Sequence, residues 1–162
     1  MTESDFRIID ADFSNAEHLD DIIKVLENYK TGEMGDGVPY SESEKARLRT
    51  QFLVHPNVMA FLLYTKEREI AGGAVCFKSF STFNTDNIIN IHDLCVIDKF
   101  RGRGFGRALT DYIVQKGKKQ LCSRLTLEVR EDNGIAQDLY RKFGFDDMTP
   151  KMHFWRKKLH HD

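Results

Sequence analysis

The stretch RGRGFGRAL, residues 101–109, sets Gly102, Gly104 and Gly106 among Arg101, Arg103 and Arg107. It lies between the apolar run INIHDLCVI and a helical pattern. A strand, a glycine-rich turn and a helix in that order leave several amide N–H groups unpaired at a helix N-terminus, where the helix dipole adds positive potential. Such a place binds phosphate, and glycine lets the backbone come close because no Cβ intervenes. The arginines supply charge that amides lack. The spacing matches neither the G-x-G-x-x-G of dinucleotide folds nor the G-x-x-x-x-G-K-[ST] of nucleotide loops. On its residues alone the stretch reads equally as a phosphate cradle or as a solvated arginine-glycine turn.

Asp93 is the second group with chemistry in it. At the two-residue period of a strand it shares a face with Ile89, Ile91, Cys95 and Ile97. A carboxylate in an apolar row costs free energy unless partnered, and that setting raises its pKa toward that of a useful base. The alternative is a structural carboxylate tied to an arginine or to backbone amides. His92, expected on the opposite face, is the rival base.

Periodicity and punctuation outline the elements that must position these groups. Residues 6–10 read as a short strand, and 15–29 as a helix with Leu19, Ile22, Ile23 and Leu26 on one face. TGEMGDGVP ends that helix. Ser41 and Glu44 in SESEKARLRTQFL have capping-box spacing, so a second helix starts there. Residues 58–64 and 69–77 are β-rich runs joined by TKER, a hairpin, with Gly72 and Gly73 read as a bulge. SFSTFNTDN reads as a loop, 88–97 as a strand, and a helix with Ala108, Leu109, Tyr112 and Ile113 inward follows the glycine turn. RLTLEV alternates as a strand, 133–143 is helical and closed by Gly144, and KMHFWRKK reads as a last strand. The expected class is mixed α/β, a central sheet with helices on both sides, in a single domain over residues 1–162.

Composition narrows the function classes. At 162 residues the chain can bury a real core, and its 30% charged and 41% apolar residues are ordinary for a soluble protein. A net charge of −1 removes any global pull toward nucleic acid or an anionic membrane. Cys76, Cys95 and Cys122 are too scattered for a disulfide framework and form no metal-ligand spacing, which fits a reducing compartment. Cys76 and Cys95 lie in apolar strands and read as inert core thiols. MTESDFRIID has no apolar signal segment, and no run approaches membrane-spanning length, so a cytoplasmic protein is expected. His160 and His161 read as a solvated tail, not a metal site.

Two motifs carry a resemblance. Arg101-x-x-Gly104-x-Gly106, after the strand ending DLCVI, resembles the acetyl-CoA loop of the GNAT N-acetyltransferase family. NGIAQDLYRKFGF is similar to that family's N-x-x-A-x-x-L-Y-x-x-x-G-F segment, through Asn133, Ala136, Leu139, Tyr140, Gly144 and Phe145. The resemblance covers roughly residues 58–155 and departs at Asp98, where many members carry proline; the departure bears on loop stiffness. It implies a mixed, mostly antiparallel sheet splayed between strands four and five. The amides of Gly102, Arg103, Gly104, Phe105, Gly106 and Arg107 would cradle the pyrophosphate of acetyl-CoA (coenzyme A), supported by Arg101. The backbone of Leu94, Cys95 and Val96 would pair with the pantetheine arm, and Asn133 would hydrogen-bond it from the other side. Tyr140 would stand near the sulfur and protonate the departing thiolate. IHDLCV is similar to the strand of aminoglycoside-3-N-acetyltransferase-like members, in which an aspartate at the place of Asp93 is the base.

The chemistry also follows without the family. An alkylammonium must lose its proton before it attacks a thioester, so the site needs a base, a carbonyl-polarising donor and an acid for sulfur. A backbone N–H near Cys95 or Val96 suits the second role, and direct transfer needs no covalent enzyme intermediate. The family's acceptor site would be framed here by Tyr29, Glu33, Asp36, Tyr40, Phe80, Phe83 and Asp86. Acidic and aromatic groups together suit a cationic amine: a polyamine, an amino-acid side chain or an aminosugar. The expected function is acetyl transfer from acetyl-CoA to a primary amine of a small cationic metabolite, with a second copy of the chain as partner. Beside it stand a peptide or protein amine acceptor, a non-catalytic acyl-CoA-binding regulator and a nucleic-acid module built on the arginine-glycine loop. Gly104→Val is expected to block phosphate approach and leave the fold largely intact.

Overall fold

The computed structural model describes residues 5–159. The elements are β1 (Phe6–Asp10), α1 (Ala16–Thr31), α2 (Glu42–Val54), β2 (Val58–Thr65), β3 (Ile70–Ser81), β4 (Asp86–Val96), α3 (Phe105–Lys119), β5 (Arg124–Leu127) and α4 (Gly134–Lys142). The strands form one sheet in chain order, antiparallel from β1 to β4 and parallel between β4 and β5. Antiparallel neighbours need only a turn, whereas the parallel pair needs a crossover, which α3 provides. His160 and His161 lie outside the described residues.

Helix starts follow local chemistry. The Asn15 side chain accepts from the Glu17 N–H at 2.9 Å. Ser41 and Glu44 form the capping box: the Glu44 carboxylate accepts from the Ser41 N–H at 2.8 Å, and the Ser41 hydroxyl accepts from the Glu44 N–H at 3.3 Å. On one side of the sheet Leu19, Ile22, Val25 and Leu26 of α1, with Phe52 of α2, pack against Leu62 and Val75. On the other, Phe105, Leu109 and Ile113 of α3 pack against Phe61, Leu63, Ile89 and Ile91. Each fully buried Leu, Ile or Phe contributes about 1.5–3 kcal/mol of transfer free energy, so both layers are well anchored.

Two irregularities in the sheet matter for function. Opposite Leu63 and Tyr64, β3 carries Ala71 as an extra residue, beside Gly72. A Cβ on Gly72 would sit 2.7 Å from the Cys95 carbonyl oxygen, so the glycine serves close approach of β3 to β4. In β4 the pairing runs Val75 to Asp93 and then Cys76 to Ile91, leaving His92 as a bulge. A bulge shifts the alternation by one residue. Ile89 and Ile91 therefore face α3, while Cys95 faces α1 with Val75, the cross-strand partner of Asp93. The face inferred from strict alternation, Asp93 with Ile89 and Ile91, is corrected by this bulge.

Two further expectations are corrected. SFSTFNTDN is mostly strand: β3 continues to Ser81 and β4 begins at Asp86, with only residues 82–85 turning between them. Its polar composition reflects a hairpin tip projecting past the core, where Phe80 and Phe83 are exposed. KMHFWRKK forms no strand, and Met152, Phe154 and Trp155 are exposed. Strand propensity becomes structure only with a partner edge, and the alternation here ends in the charged run Arg156, Lys157 and Lys158.

Candidate active site

The N-terminus of α3 has the geometry that an anion cradle requires. Gly102 and Gly104 adopt left-handed φ values of 75° and 77°, and Gly104 is the N-cap with no capping side chain. Among the described residues the amides from Gly102 to Arg107 have no hydrogen-bond acceptor, and the first helical bond runs from the Ala108 N–H to the Gly104 carbonyl. Alternating left-handed turns and free amides make a concave donor surface. Asp98 opens a short 3-10 turn, accepts at its carbonyl from the Arg101 N–H at 3.1 Å, and pairs with the Arg101 guanidinium at 2.8 Å. That turn fixes the loop where a proline would otherwise stiffen it. The Arg103 guanidinium lies over the Phe100 ring at 5.3 Å, Arg107 is exposed, and Phe105 is buried in the α3-side core. The left-handed φ of Gly104 overturns the expectation for Gly104→Val, because a β-branched residue there strains the backbone itself.

Beside the cradle the sheet opens. β4 and β5 pair only from Ile88–Arg124 to Ile91–Leu127, so the β4 edge from His92 to Val96 has no strand on that side. Leu94, Cys95 and Val96 all lie on this edge; the Val96 carbonyl accepts from Arg101 Nε at 3.4 Å. Asn133 caps α4, its side-chain oxygen accepting from the Ala136 N–H at 3.1 Å, which leaves its NH₂ directed to other partners. Tyr140 on α4 packs edge-on against Phe145 at 5.7 Å. Burial, reinforced by nearby Tyr29 and Cys76, pushes its phenol up to about 12. Cys76 and Cys95 are buried and their thiols are pushed up to about 12, so neither is a thiolate at neutral pH.

On the α1 side of β4 a cavity of about 600 Å³ reaches Asp93 and His92 together. The bulge brings both to one wall, where sequence reasoning separated them. Tyr29, Asp36 and Tyr40 of the expected acceptor residues line it; Glu33, Phe80, Phe83 and Asp86 do not. Burial raises the Asp93 carboxyl above the ordinary carboxylate range, and the charge of His92 opposes the shift. No hydrogen bond contributes to that shift, so neither an arginine nor an amide ties the group down. Burial and then the charge of Asp93 raise the Tyr40 phenol. Phe77 stands between the two histidines, its ring 5.3 Å from His92 and 5.4 Å from His55. His55, Gln51 and Lys30 also line the cavity, and sequence reasoning missed them. Lys30 and Gln51 are unremarked polar positions of α1 and α2, and His55 caps the C-terminus of α2, so only packing puts them here.

Residues 20–145 match the Acetyltransferase (GNAT) family. An uncharacterized N-acetyltransferase of Methanocaldococcus jannaschii is 27% identical over 130 residues, 79% of this chain and 58% of that protein. The thialysine N-epsilon-acetyltransferase of Bos taurus is 31% identical over 80 residues, 49% of this chain and 46% of that protein. The chain thus spans about half the length of these curated relatives. Among solved structures, an aminoglycoside acetyltransferase from an uncultured soil metagenomic sample superposes with a TM-score of 0.79 at 16% identity, covering 97% of this chain and 99% of that one. At that identity the likeness is one of fold. No helix of the described residues is long and apolar enough to cross a membrane.

Proposed function

The chain belongs to the acetyltransferase (GNAT) family, and from that premise we propose that it moves an acetyl group from acetyl-CoA to the primary amine of a small cationic metabolite, by direct transfer. The donor supplies an activated acetyl thioester when bound. The free amides from Gly102 to Arg107, with the arginines around them, fit its pyrophosphate. The open β4 edge at Leu94, Cys95 and Val96 suits an extended amide-bearing arm, and an N–H near Cys95 or Val96 polarises the carbonyl. Asp93 takes the ammonium proton at its carboxylate before attack.

Tyr140 holds its proton at the sulfur end of the gap. With its phenol at about 12, full transfer to a thiolate of ordinary pKa is uphill by roughly 5 kcal/mol. Tyr140 therefore acts chiefly by donating a hydrogen bond to the developing charge.

The observation that carries the reading is Asp93 itself: a half-buried carboxylate in no hydrogen bond or salt bridge among the described residues, in a cavity wall beside an unpaired strand edge. A thiol-release screen of primary amines with acetyl-CoA tests it. Amine-dependent release is expected. Coenzyme A binding by calorimetry without release from any amine would leave an acyl-CoA-binding protein instead.

A further inference from the structure

Resting on the acetyl-transfer reading, we infer that the acceptor carries a single positive charge on an apolar arm, as in a long alkylamine or an arylalkylamine, and is not a polyamine or an aminosugar. The formal charges lining the cavity are Lys30, Asp36 and Asp93. The first two are committed to each other. Lys30 Nζ donates at 2.7 Å to both carboxylate oxygens of Asp36 and at 2.8 Å to the Val38 carbonyl. Asp36 also accepts from the Val38 N–H at 3.0 Å, so the pair closes the loop after α1 on itself. Lys30 uses its three donors there while its charge lies 5.5 Å from the centre of the Tyr40 ring.

Asp93 is then the one lining carboxylate, among the described residues, that forms no salt bridge, with the imidazole of His92 as its charged neighbour. One ammonium is matched by it. A second ammonium on the same molecule would enter a wall whose other carboxylate, Asp36, is already neutralised by Lys30, and would be desolvated without a counter-ion. The rest of the wall favours carbon: Leu48, Phe52, Val58, Val75 and Phe77. Tyr29 and Tyr40 add aromatic surface to the same wall. A volume of about 600 Å³ falls within the range, roughly 300–1,000 Å³, that encloses small organic ligands.

The experiment compares hexylamine with 1,6-diaminohexane, which differ only by the second amine, alongside phenethylamine, spermidine and glucosamine, in initial-rate thiol release with acetyl-CoA. Hexylamine and phenethylamine should exceed the diamine, spermidine and glucosamine in kcat/KM by about tenfold or more. Gln51→Glu, an isosteric change on the α2 wall, adds a third carboxylate to the cavity, the second outside a salt bridge, and should shrink the hexylamine-to-diamine ratio several-fold, mainly by improving the diamine. A diamine, polyamine or aminosugar used as well as hexylamine by the parent would overturn the inference while leaving acetyl transfer standing. A Gln51→Glu ratio equal to the parent's, in a protein of unchanged melting temperature, would also overturn it. No release from any amine, with coenzyme A still bound, removes the acetyl-transfer reading and the inference with it.

Discussion

Replacing Asp93 with asparagine keeps the side chain's shape and hydrogen-bonding capacity but removes the group proposed to accept the amine's proton. A positioned base contributes about 10²–10⁴-fold, equivalent to roughly 3–5 kcal/mol of barrier, and kcat/KM for hexylamine at pH 7 should fall by that much. Stability should move the other way. Burial raises the folded-state pKa of Asp93 above its unfolded value, so its contribution to stability is fully present below about 3.8 and is lost as pH rises through the raised value. When ionised, the carboxylate is a partly desolvated charge that forms no salt bridge among the described residues, and Asp93→Asn should melt at or above the parent temperature. The parent's kcat/KM should show an acidic limb that Asp93→Asn lacks; the variant should instead gain rate steadily with pH as more amine arrives neutral. His92→Gln supplies the control. The charge of His92 opposes the burial shift of Asp93, so its removal should keep the limb and displace it to higher pH. Thiol-release pH profiles and thermal melts of both variants measure all of this, with Tyr29, His55, Tyr40, Lys30 and Asp36 as the other titratable groups on the cavity wall. A stable Asp93→Asn protein with near-parental turnover at pH 7 would refute the reasoning, and so would a lowered melting temperature with no change in the pH profile.

Tyr140→Phe should lower kcat about 10–10²-fold, the worth of one hydrogen bond to a developing charge, with coenzyme A affinity by calorimetry little changed. Gly104→Ala forces an L side chain into a left-handed φ and should destabilise the fold by about 1–2 kcal/mol in urea titration, so binding defects in such variants must be read against melting data. Ser41→Ala removes one half of the α2 capping box and should cost about 1 kcal/mol while leaving coenzyme A affinity unchanged, since α2 lines the cavity at Asp93 and not the glycine turn before α3.

What the amino-acid sequence determined by itself is whatever depends on a few adjacent residues. The start of α2 at Ser41 and Glu44 and the helix beginning around Asn133 are local choices of φ, ψ and short-range hydrogen bonds, legible without a partner. The β-rich apolar run of β2, buried on both faces of the sheet, and the helical spacing of α1 likewise announce core elements. Tertiary pairing decided the rest. Whether β4 alternates cleanly or sheds His92 as a bulge depends on how β3 pairs with it, and no residue in IHDLCV encodes that register alone. With it went the side of the sheet that Asp93 occupies, the meeting of Asp93 and His92 in one wall, and the company of Gln51 and His55 from a helix distant in the chain. KMHFWRKK shows the same limit from the other side, because a strand exists only where an edge accepts its backbone hydrogen bonds, and that edge belongs to another part of the chain.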